Sequence, residues 1–142
     1  ERKKSEVKRY KLYYGVDCLD YTNYDLIIDT TEVQPKYVCE IILFEFEKFG
    51  IMKNNYTPQA FVSPRNLYPT LATDQSNDIT VTNVNSFDYI LSGHAKVAAA
   101  TKEKLPLVRV NYVSDRQTGN FHDKELIAKW QQDNDFKYLI EP

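Results

Sequence analysis

The stretch FDYILSGHAKVAAATKEKLPLVRVNYV, Phe87 to Val113, changes its apolar period twice. Tyr89, Ile90 and Leu91 read as the end of a strand, Gly93 breaks it, the Ala-rich run from Lys96 to Lys104 is helical, and Leu107 to Val113 alternates as a second strand. At such a turn the first helical N–H groups, near His94 to Val97, lack intrahelical partners, and the helix dipole adds partial positive charge there. An anion is the expected ligand. Lys96 adds a full positive charge on the first turn, and His94 can donate a hydrogen bond to the same oxygen atoms. A lysine at a helix start opposes the dipole, so its presence is easiest to understand if an anion neutralises it. Gly93 alone implies no more than a residue free to take positive φ at a turn.

Working outward, 142 residues suffice for one ordinary domain, or for one compact domain plus a piece of another. A hydrophobic share of 42% with 13% aromatic residues supplies a core and argues against disorder. The formal net charge of −2 gives no global basic field, so DNA binding would need a local patch. Cys18 and Cys39 lie far apart and form no CxxC pair, which speaks against a disulfide scaffold or a structural zinc site. No apolar run approaches the roughly 20 residues of a membrane-spanning helix, no signal peptide opens the sequence, and a cytoplasmic location with reduced thiols is expected.

Upstream, Glu1 to Tyr14 is basic and helix-prone, with Val7, Tyr10 and Tyr14 at helical spacing and Gly15 as a stop. Tyr24 to Asp29 reads as a short buried strand. A helix is expected from Pro35 to Phe49, carrying Val38, Ile41, Ile42, Phe46 and Phe49 on its apolar stripe and ended by Gly50. The texture then turns to Asn, Thr and Pro in MKNNYTPQ, which places a domain boundary between residues 52 and 53. Beyond it come an extended piece at Ala60 to Val62, the segment SPRNLYPT, a polar stretch from Thr73 to Asp78 and a strand at Ile79 to Asn83. Asn85 and Ser86 supply turn chemistry before Phe87. Past Val113, SDRQTGN reads as a loop, and Asp123 is placed to cap a last helix bearing Leu126, Ile127 and Trp130. His122 and Asp123 lack further ligands at metal-binding spacing.

The stretch ITVTNVNSFDYILSGHAKVAAATKEKLPLVRVNYV resembles the core of the ParB/sulfiredoxin-like superfamily over about residues 60 to 113. In that family a strand runs into a G-x-(H/R)-(R/K) turn that holds nucleotide phosphates, followed by an Ala-rich helix and another strand. The resemblance implies phosphate contacts at Gly93, His94, Ala95 and Lys96, with Thr70 of the LYPT segment lying across from the phosphates. Many members read Asp-Gly-His-His-Arg where this chain has Ser92-Gly93-His94-Ala95-Lys96. Sulfiredoxins need a cysteine after the glycine, and His94 stands there, so sulfinic-acid reduction is not expected. Free-serine kinases of the superfamily use acidic groups near the turn that Ser92 does not supply.

The first fifty residues, through RYKLYYGVD and YDLIIDTTEVQPKYVCEIIL, resemble instead the carboxy-terminal end of cytidylate kinases of the P-loop type. That resemblance implies a phosphate-touching role for Arg9. No GxxxxGK(S/T) loop occurs in the sequence, so cytidylate phosphorylation is not expected from these residues alone. Together with a start at Glu1, this leads to the expectation that an upstream P-loop kinase domain belongs to a longer protein.

The expected architecture is therefore α/β (α+β). A kinase-like helix–strand–helix piece over residues 1–52 precedes a ParB/sulfiredoxin-like domain with a small mixed sheet over residues 53–142. The expected function is nucleotide binding, with phosphoryl transfer or nucleotide hydrolysis as the reaction class and ATP or CTP, with Mg²⁺, as the ligand. The competing class is a non-enzymatic DNA-associated or protein-interaction module.

Overall fold

The structure, a computed structural model, describes residues 2–114 and 121–140; of the loop expected at residues 114–120, residues 115–120 lie outside them. It is a mixed α/β fold. Among the described residues the helices are α1 (Arg2–Tyr14), α2 (Pro35–Met52), α3 (His94–Lys102) and α4 (Lys124–Asn134). The strands are β1 (Leu26–Ile28), β2 (Gln59–Val62), β3 (Leu67–Tyr68), β4 (Thr80–Val84), β5 (Phe87–Ser92) and β6 (Val108–Tyr112). They form one six-stranded sheet in the order β1-β2-β6-β4-β5-β3. β1 pairs with β2, β4 with β6 and β3 with β5 in parallel, while β2 with β6 and β4 with β5 are antiparallel.

The β4–β5 hairpin turns on Asn85 and Ser86, both at positive φ (52° and 72°), with Val84 opposite Phe87. That is the two-residue loop whose twist matches its strands. Tyr89 and Ile90, neighbours on opposite faces of β5, are both fully buried. Ile90 packs with Leu67, Val81, Val97 and Val110, and Tyr89 packs with Tyr68, Ile127 and Tyr138. The central strands are thus covered on both sides, and each such side chain contributes about 1.5–3 kcal/mol by burial. α3 turns Val97, Ala100 and Thr101, at helical spacing, to the interior.

Three expected elements shift. α2 runs through Gly50 to Met52, because a glycine stops a helix only where the chain turns to positive φ. That turn comes at Lys53 (φ 45°), whose N–H bonds the Phe49 carbonyl. The helix expected at Lys96–Lys104 starts two residues earlier, directly after Gly93, and ends at Lys102. β1 is shorter than expected, since Tyr24 closes a 3-10 turn over Tyr21–Asn23. The edge strand β1 lies before the boundary expected between residues 52 and 53, yet it shares the sheet with the strands that follow.

Candidate functional site

β5 ends at Ser92, and α3 begins one residue later. Gly93 joins them in the left-handed region, φ 88° and ψ 21°. A Cβ at this position would lie 2.8 Å from the Ile79 Cα and 3.0 Å from the Asp78 carbonyl oxygen. Both the backbone conformation and the close approach of the 78–79 backbone require glycine. The loop over residues 74–78 is tied to the end of β5 through Ser92, whose Oγ accepts from the N–H groups of Gln75 and Ser76, each at 3.1 Å.

Of the N–H groups expected to be free, those of His94 and Val97 are occupied, the latter by the Gly93 carbonyl at 3.0 Å. Asp74 Oδ1 accepts from the Gly93 N–H at 2.8 Å, the His94 N–H at 3.0 Å and His94 Nδ1 at 2.7 Å. Three donors therefore converge on one anionic oxygen, supplied by the chain itself. Burial raises the Asp74 carboxyl, but the bonds from the His94 ring and backbone and from the Ala95 N–H outweigh it and hold the group below its usual value. His94 Nε2 accepts from the Thr70 N–H at 3.4 Å, so the Nδ1–H tautomer satisfies both neighbours. The Thr70 hydroxyl donates to the Ile90 carbonyl at 2.6 Å, fixing that backbone. The His94 ring also packs T-shaped on Trp130, centroids 5.9 Å apart.

A cleft of about 380 Å³ opens at the turn between residues 74–77 and Gly93, Ala95 and Lys96. Lys96 is exposed and makes no ion pair among the described residues. Of the residues singled out from the sequence, Gly93, Ala95 and Lys96 line this cleft. Thr70 and His94 stand behind it, coupled to it through Asp74. Arg9 lies exposed on α1, and no hydrogen bond or ion pair joins it to the turn. Asp74 was missed by sequence reasoning. It sits within a polar stretch, and nothing local ties it to a turn 19 residues later.

Asp123 and His122 have structural partners. Asp123 caps α4, accepting from the Glu125 and Leu126 N–H groups, each at 3.1 Å. His122 Nδ1 lies 2.6 Å from the Tyr89 hydroxyl. Cys18 and Cys39 are unpaired. Among the described residues no group of three or more His, Cys, Asp or Glu side chains is placed to hold a metal ion, and no helix is long and apolar enough to cross a membrane.

No family model matches the chain, and no solved structure matches it. Parts of it are similar to curated proteins named cytidylate kinase. The Methanopyrus kandleri cytidylate kinase is 61% identical over 58 residues, 41% of this chain and 25% of that protein. Cytidylate kinase 2 of Borreliella burgdorferi is 38% identical over 55 residues, 38% of this chain and 31% of that protein. The Thermoplasma volcanium cytidylate kinase is 36% identical over 59 residues, 42% of this chain and 30% of that protein. The chain thus spans between a quarter and a third of the length of these relatives.

Proposed function

We propose that the chain binds a nucleoside triphosphate, ATP or CTP, by its phosphates at the Gly93–Lys96 turn, as a ParB/sulfiredoxin-like domain serving phosphoryl transfer or nucleotide hydrolysis. The observation that carries this reading is the convergence of the Gly93 N–H, the His94 N–H and His94 Nδ1 on one carboxylate oxygen. A phosphate oxygen has similar charge and hydrogen-bond needs, so a seat that holds Asp74 suits a phosphate once the carboxylate swings out. Lys96 then supplies the unpaired cation, Ala95 offers its N–H group without a side chain in the way, and the Thr70 N–H keeps the His94 ring turned toward the seat. A Mg²⁺ ion brought by the nucleotide would neutralise phosphate charge, and it fits with the displaced Asp74 as a single protein carboxylate, because Mg²⁺ leans mainly on phosphates and water.

Residues 1–52, in the same proposal, are the terminal piece of a cytidylate-kinase-like body, with the P-loop part elsewhere in a longer protein and Arg9 turned to its phosphates. Two observations support it: the partial similarity to the kinases, and the apolar side chains of α2, of which Leu43, Phe44, Phe46 and Ile51 are more than 60% exposed. A helix this apolar on its outer side is ordinarily covered. Mixing the protein with the remaining part of the Methanopyrus kandleri kinase should slow hydrogen exchange along α2; unchanged exchange contradicts this half of the reading.

The nucleotide half is tested by calorimetric titration with ATP, CTP, GTP and UTP, where saturable binding of at least one is expected. The DNA-associated alternative would show instead as a gel shift that weakens steeply with salt.

A further inference from the structure

The opposite end of α3 carries a second cavity, distinct from the Gly93 turn, of about 480 Å³. Its walls come from the end of α3 and the residues after it, from the 3-10 turn over Pro64–Asn66, and from the chain beyond α4. Four cationic side chains line it: Arg65, Lys102, Lys104 and Lys137. Two carboxylates face them, Glu32 and Asp135, and Glu32 is already engaged by Arg65 Nη1 at 3.1 Å. Lys102, Lys104 and Lys137 form no ion pair among the described residues. In a chain of net charge −2, such a local excess of unpaired cations around one concavity is a focused positive field.

The wall is also held in place. Arg65 Nε donates to the Lys137 carbonyl at 3.0 Å, and the Leu139 N–H donates to the Arg65 carbonyl at 3.3 Å. The segment after α4 is thereby clamped against the 3-10 turn, which fixes the spacing between Arg65 and the lysines across the cavity. Pro106, Phe136 and Leu139 line the same cavity and give it apolar surface. A concavity lined by both cations and apolar side chains, at a volume within the range of small-ligand sites, suits an amphipathic anion.

We propose that this cavity is a binding site for a small phosphorylated molecule with an aromatic or aliphatic body, its phosphate met by Lys102, Lys104 and Lys137 and its body resting on Phe136 and Leu139. A concave site suits a small molecule better than a nucleic-acid backbone, which tracks along a groove or ridge. The site stands independently of the nucleotide seat, about one helix length away at 1.5 Å per residue.

The test is an NMR titration of the whole chain with phenyl phosphate and, separately, inorganic pyrophosphate. Saturable shifts at the amides of residues 101–105 and 136–139 are expected for phenyl phosphate, with weaker binding of pyrophosphate because it lacks a body to rest on the apolar side chains. The double variant Lys102→Gln, Lys104→Gln alters two exposed side chains and should keep the parent's spectrum while losing about tenfold or more in phenyl phosphate affinity. Lys96→Ala should leave that affinity within about twofold, since charges this far apart at the surface are screened. Shifts confined to the Gly93 cleft, no saturable shift, pyrophosphate binding as tightly as phenyl phosphate, or equal phenyl phosphate affinity in the double variant would each overturn the proposal.

Discussion

Ile90 and Phe46 are both large apolar side chains in regular elements, yet Ile90 is fully buried and Phe46 is 72% exposed. The contrast extends to the regions around them. From Ala60 onward the chain supplies partners for its own apolar residues, from Val62 and Leu67 through Val97 to Tyr138. Among described residues up to Met52 the single buried one is Glu45, held by the Tyr56 hydroxyl at 2.8 Å and by Lys48 at 3.2 Å. α2 therefore has little tertiary packing to support it among the described residues, and its many Ile, Phe and Val residues add little intrinsic propensity. The lesson is that an apolar stripe marks a surface meant to be covered without naming what covers it. In one region the cover is this chain; in the other, the proposal assigns it to a kinase body.

The sharpest way to break the comparison is to truncate one side chain in each region. Ile90→Ala should destabilise by about 2–5 kcal/mol in urea unfolding, as buried isoleucines do. Phe46→Ala should change stability by less than about 0.5 kcal/mol, since an exposed side chain leaves no cavity. Similar losses at both sites would mean that α2 is packed after all.

The glycines repeat the contrast at smaller scale. Gly93→Ala places a Cβ 2.8 Å from backbone in a left-handed conformation, so a loss of about 2 kcal/mol or more is expected by thermal unfolding. Gly50→Ala, inside α2 with nothing within 4 Å, should instead gain about 0.5–1 kcal/mol through helix propensity.

Asp29 joins the two regions. It closes β1 and accepts from Asn66 Nδ2 at 2.9 Å and from the Ser63 N–H at 3.4 Å, across the expected boundary. Burial raises its carboxyl, but the bonds from Thr31, Asn66 and Ser63 outweigh it and leave the group below its ordinary 3.8. A depressed folded-state value stabilises above the unfolded value, and that contribution is lost as pH falls through the folded one. Asp29→Asn should therefore cost about 1 kcal/mol above about pH 5 and progressively less toward pH 2. A penalty that is constant with pH would remove the carboxylate from this role.

Much of the second region was legible in the sequence because its signals are local. The Asn85-Ser86 turn, the glycine between β5 and α3 and the Asp123 cap each follow from neighbouring residues. The sheet order was not legible: β6 lies between β2 and β4, and an apolar period tells which face is buried but not which strand lies alongside. At the candidate site, Gly93 and Lys96 were legible from the helix start. Asp74 was not, because its partnership with His94 depends on how the loop over residues 74–78 is folded back by Ser92.

That loop makes the nucleotide reading testable in one experiment, calorimetric titration of ATP and CTP, without Mg²⁺, into the parent chain, Asp74→Ala and Lys96→Ala. If Asp74 occupies a phosphate seat, its removal frees the donors and affinity should rise by about tenfold, while Lys96→Ala should lower it by about tenfold, each the size of one charge-assisted hydrogen bond. Equal affinities in all three, or weaker binding in Asp74→Ala with its fold intact by circular dichroism, would contradict the account and leave Gly93 as a turn capped by its own carboxylate.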